Sequence, residues 1–224
     1  MADHSHTHSH PHNTKQIVKE EISEHLKFTI ISITISFIGI ILLNKYQKSF
    51  LTQDLFKQIH YLHLFLASIT PASLYYLFKK DTIRAVGVGI LSSSIGCTIS
   101  DSVFPYLGGN LLDFKMVLHI CILSEPQFAW TAVFAGAFVG IILARSFSKI
   151  THISHFAHTF VASVSALTYI ITFGQSESPY SIFFIVIILL FSVLIPCMLS
   201  DIVIPSLVFS ESSFNDIMCH EHHH

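Results

Sequence analysis

HYLHLFLAS at residues 60–68 and HFAHTFVAS at residues 155–163 are two versions of one segment. His60, His63, Phe65, Ala67 and Ser68 recur as His155, His158, Phe160, Ala162 and Ser163, at an offset of 95. Working outward, CTISDSVFP (97–105) returns as CMLSDIVIP (197–205) at an offset of 100, and FIGIIL (37–42) as FVGIIL (138–143) at an offset of 101. The three matches keep one order, and their offsets differ only by what short loop insertions supply. They indicate an internal duplication of about 100 residues.

The repeat is embedded in an apolar chain. Of its 224 residues 51% are hydrophobic and only 12% charged, against roughly 25% charged in soluble domains, so the chain reads as a membrane protein. Apolar stretches fall at approximately 28–43, 58–78, 83–107, 128–146, 153–173 and 181–209. A span needs about 20 apolar residues. The first stretch is marginal alone, and its partner in the repeat, 128–146, supports it. The first 27 residues are polar and His-rich with no apolar core, so no cleavable signal peptide is expected. The expected fold is all-α: a polytopic bundle of six transmembrane helices. Its parts are a His-rich tail (1–25), a three-helix repeat (26–110), a connector (111–126), a second three-helix repeat (127–210) and a His-rich C-terminal tail (211–224).

Three spans per repeat is an odd number, so two tandem copies enter the membrane in opposite senses. This is an inverted-topology repeat, a layout common among secondary transporters. Eight of the twelve cationic residues (Lys15, Lys19, Lys27, Lys79, Lys80, Arg84, Arg145, Lys149) share the side of both termini, and four (Lys45, Lys48, Lys57, Lys115) lie opposite. The bias places both tails in the cytoplasm of a multi-pass cell (inner) membrane protein. On this count the two copies of the repeated residues are expected at opposite depths, with His60, His63 and Asp101 near the outer face and His155, His158 and Asp201 near the inner.

Residues three or four apart share a helix face. His60 therefore faces with His63, His155 with His158, Cys97 with Asp101, and Cys197 with Asp201. Imidazoles, a carboxylate and a thiol converging from adjacent helices suit a divalent transition metal such as zinc, nickel or cobalt. HxxH alone is weakly specific; its recurrence with the aspartate and cysteine is what carries the signal. A carboxylate deep in a span costs about 2.5–3.5 kcal/mol on insertion scales and usually faces a cavity or partner. The blander account of Asp101 and Asp201 is a hydrogen-bonded lock between helices, and that of Cys97 and Cys197 is small apolar filler.

The tails carry further donors: His4, His6, His8, His10 and His12 at one end, and Cys219, His220, His222, His223 and His224 at the other. Such runs cannot form a core but bind metal. In the connector, His119 and Cys121 have no counterpart in the first half, and Glu125 opens a helix where an acidic group favours the dipole. These three are minor metal-site candidates. The four cysteines do not form a disulfide framework.

The sequence thus predicts a transporter of divalent zinc, nickel or cobalt rather than an enzyme. The metal ion is its substrate and the lipid bilayer its environment, and a homo-oligomer is compatible with the sequence. A net charge of −2 without a basic cluster argues against nucleic acid. The alternatives are a membrane metalloenzyme or haem protein, disfavoured by histidines placed at two depths, and a non-metal carrier or sensor with incidental histidine tails.

Overall fold

The computed structural model describes residues 14–46, 51–144, 147–174 and 182–199; over 14–22, 24, 43–46, 147–155 and 182 it describes the backbone alone. Among the described residues the fold is helical, with no strand. The helices are α1 (Thr14–Tyr46), α2 (Gln53–Lys79), α3 (Thr82–Thr98), α4 (Phe104–Leu111), α5 (Cys121–Ser124), α6 (Pro126–Leu143), α7 (Phe147–Phe173) and α8 (Ile182–Met198), with a π-helical turn (Ile99–Val103) joining α3 to α4.

Among the described residues five segments are long and apolar enough to cross a membrane: His25–Leu42, Gln53–Lys79, Thr82–Leu111, Pro126–Leu143 and Phe156–Phe173. The marginal first stretch lies inside a 33-residue helix. Within the described residues α8 has 17 residues, about 25 Å at 1.5 Å per residue, and falls short of a 30 Å hydrocarbon core. Large apolar side chains such as Ile38, Ile41, Leu91, Phe138, Ile142 and Phe183 are exposed on the bundle's outside, as a lipid-facing surface requires.

Local chemistry sets the helix ends. The Thr52 hydroxyl accepts from the Leu55 amide at 3.1 Å, and the Asp81 carboxylate accepts from the Arg84 amide at 3.1 Å. Both are N-caps that satisfy donors a helix start leaves orphaned. Lys80 ends α2 in the left-handed conformation. The turn Lys80–Asp81 therefore makes α2 and α3 adjacent and antiparallel.

Helices α2 and α7 also run antiparallel. The Gln53 amide donates to the Thr172 carbonyl at 3.5 Å, Phe56 packs on Tyr169 and Phe173 with centroids 5.1 and 5.4 Å apart, and, further along, His63 meets His158. Around this pair α6 packs on α2 and α3, while α1 packs on α7 and α8. Gly136 and Gly140, a GxxxG pair, allow the closest approach. A Cβ on Gly136 would strike the Phe65 carbonyl and the Ser68 hydroxyl, and one on Gly140 would strike the Ile69 carbonyl. In lipid, such small-residue contacts replace the hydrophobic drive between helices.

The connector folds back onto the bundle. The Val117 amide donates to the Phe173 carbonyl at 3.2 Å, satisfying an orphaned carbonyl at the end of α7. The Tyr169 hydroxyl accepts from the His119 amide at 3.0 Å and donates to the Val117 carbonyl at 2.8 Å. MVLHICIL is therefore a lid on the α2 start and α7 end.

A candidate metal centre between the two halves

One turn of α2 carries His60 and His63, three residues apart and both about 1% exposed. Opposite them stands Asp101, fully buried on the π-helical turn. Pro105 accounts for that turn. It has no N–H for the Asp101 carbonyl four residues back, and its ring would crowd that carbonyl. The backbone widens instead, and the Phe104 amide reaches five residues back to Ile99. Such single π turns are frequent at functional sites. Ile99 has its repeat counterpart in Leu199, which is also π-helical.

Asp101 Oδ2 accepts from His60 Nδ1 at 2.8 Å and from His63 Nδ1 at 2.7 Å. Its other oxygen, Oδ1, accepts from the Ser100 hydroxyl. One donor atom from each of His60, His63 and Asp101 lies within 4.8 Å of the others, so the group can hold a metal ion. His63 Nε2 is buried with no hydrogen-bond partner. An unmet buried polar atom costs about 1–3 kcal/mol, and the His63 ring that carries this one lies 4.8 Å from that of His158 between centroids. His158 is itself buried, and its Nε2 lies 4.0 Å from Cys197 Sγ.

One expectation needs correction. The repeated histidines do not sit at opposite faces: His63 and His158 touch. His63 comes ten residues after Gln53 and His158 eleven after Phe147. Each therefore lies near the middle of a 27-residue helix, and in an antiparallel pair the two middles meet. Cys97 packs in an apolar cluster with Leu64, Ala67, Ala129 and Val133. Of the other candidates, Asp201 and the tail residues lie outside the described residues, as does the side chain of His155. Cys97, Cys121 and Cys197 are thiols, not disulfides.

Glu125 is not a ligand of this centre. It pairs with Lys57 at 2.6 Å and accepts from the Tyr61 hydroxyl at 2.6 Å, tying the start of α6 to α2. The Lys57 hydrogen bond, then that of Tyr61, holds its carboxyl below the usual glutamate range. Burial lowers the pKa of the nearby His119 and pushes the Cys121 thiol up to about 12. A protonated thiol is a poor metal ligand. Lys57 and Tyr61 carried no sequence signal, whereas Ser100 recurs in the repeat as Ser200 and donates to Asp101 as a hydrogen-bonded lock would have it. Phe56 carried none either, yet it is fully buried between His60 and His119, 5.6 and 6.4 Å from them.

The Glu125 tie has a pH signature. A carboxyl whose folded pKa is depressed stabilises the fold above its unfolded pKa and loses that contribution as pH falls through the folded one. The stability difference between wild type and Glu125→Gln is thus full at neutral pH and closes below the ordinary 4.5. Thermal unfolding in detergent across pH measures it; a difference that persists in acid contradicts the ion pair.

Comparison with protein-family models, curated proteins and solved structures finds no significant match. The centre is read from its own geometry.

Proposed function

We propose that this chain is a transporter of a divalent transition metal ion, with zinc, nickel and cobalt as its substrate class. The observation that carries the reading is the buried His60–His63–Asp101 group with its unmet His63 Nε2 against His158. A helix lock alone needs no such group: Asp101 would serve with its donors satisfied and no nitrogen left open. A carboxylate and imidazoles at this depth are costly in a bilayer, and an ion pathway is a function that repays them.

The same reading includes six spans in two inverted three-helix halves. The repeat offset of 95 maps His63 onto His158, so their contact is its own image under a two-fold exchange of the halves. The packing pairs exchange likewise: α2 with α6 becomes α7 with α1, and α3 with α6 becomes α8 with α1. A pseudo-two-fold axis in the membrane plane passing through this contact is the arrangement in which inverted-repeat transporters bind their substrate. Both tails face the cytoplasm of the cell membrane, where their histidines collect metal. Protons compete with metal for the same nitrogens, which offers a coupling ion.

The test is zinc uptake into proteoliposomes by wild type and by Asp101→Asn with Asp201→Asn. The double variant loses most of the flux; wild-type flux in it rules out this pathway.

A further inference from the structure

The carboxylate of the centre holds the histidines rather than the metal. Asp101 Oδ2 lies 2.7–2.8 Å from both Nδ1 atoms. Two nitrogen or oxygen ligands of one tetrahedral ion, each at 2.0–2.1 Å, stand about 3.3 Å apart. The observed separations are hydrogen bonds. An ionised carboxylate only accepts, so both Nδ1 atoms carry protons, and in the neutral imidazoles that bind metal both Nε2 atoms carry lone pairs. With the Ser100 hydroxyl on Oδ1, both carboxylate oxygens are engaged. His63 Nε2 is left as an acceptor, buried and unmatched, beside the His158 ring. Cys197 Sγ stands 4.0 Å from His158 Nε2. A sulfur at 2.3 Å and a nitrogen at 2.0–2.1 Å on one tetrahedral ion are about 3.5 Å apart, a few tenths of an ångström closer.

We propose that one ion binds at the junction of the halves, on His63 Nε2 and His60 Nε2 from the first and on His158 and Cys197 from the second. Asp101 is a positioning residue that fixes the histidine tautomers from behind. Carboxylates behind metal-bound histidines work this way. Three imidazoles and a thiolate select zinc or cobalt over magnesium, calcium and manganese, which prefer oxygen. The two repeats therefore build one shared site rather than one each. Both repeated cysteines pack in apolar clusters, and the 4.0 Å approach to His158 Nε2 is what assigns Cys197 to the metal. This inference rests on the metal reading above and narrows it.

Cobalt(II) is the probe, titrated into full-length purified protein with serine in place of the tail histidines and Cys219. One equivalent is expected to bind, with tetrahedral visible bands and a sulfur-to-cobalt charge-transfer band. Cys197→Ser loses the charge-transfer band and Cys97→Ser keeps it; both are small changes that the fold tolerates. Asp101→Asn keeps the band shapes while its affinity falls 10–100-fold, the range for such outer partners. Two equivalents, a charge-transfer band that survives Cys197→Ser, or visible bands reshaped by Asp101→Asn would each overturn the shared site with metal transport still standing. No cobalt bound by the parent protein removes the transport reading itself.

Discussion

Replacing His63 with alanine is expected to reduce metal uptake by at least about 100-fold, to the level of empty vesicles. Loss of a group that only orients a ligand already costs 10–100-fold in metal affinity, and His63 contributes more than orientation. Its Nδ1 holds the Asp101 carboxylate at 2.7 Å and its Nε2 is the open nitrogen at the junction with His158. On the antiparallel pair α2 and α7 it occupies the contact that maps onto itself, so no second copy replaces it. His119→Ala provides the comparison. His119 sits in the lid, separated from His60 by Phe56, and its loss leaves uptake within a few-fold of wild type. Equal losses in the two variants contradict a single central site.

The second large effect concerns packing. Gly136→Ala is expected to destabilise the protein and Gly87→Ala to leave it unchanged or slightly more stable. A Cβ at Gly136 meets the backbone carbonyl of Phe65, which belongs to a helix and cannot turn aside, whereas nothing lies within 4 Å of one at Gly87. Overpacking costs about 1–3 kcal/mol, and each kcal/mol moves the unfolding midpoint of a chain this size by roughly 2–4 °C. At Gly87 the only remaining term is the better helix propensity of alanine, about 1 kcal/mol in its favour. Thermal unfolding of the two purified variants gives opposite signs. Equal midpoints mean α2 and α6 do not dock through the glycines.

The repeat made most of the helices and the His/Asp group legible, because apolar runs and i, i+3 spacing are local signals. Depth was not legible. The apolar stretches begin near residues 58 and 153, but the helices begin at Gln53 and Phe147. The polar first turn of α2, under the Thr52 cap, has no hydropathy signature, and those extra residues put the histidines near the middle of their helices. The π turn at Asp101 was not legible either, because Pro105 is read as a helix end rather than as a cause of local widening. The Lys57–Tyr61–Glu125 tie joins residues more than sixty positions apart, and one sequence has no means to announce such a pair.

The central claim is that a transition metal ion binds in the membrane interior between the two halves, and metal content tests it most directly. Full-length protein with serine at the tail histidines and at Cys219 is equilibrated with zinc, freed of excess, and its metal measured per chain. The account predicts one zinc ion, absent when His63→Ala is added. A parent protein that retains none, or a His63→Ala protein that retains as much as the parent, contradicts it.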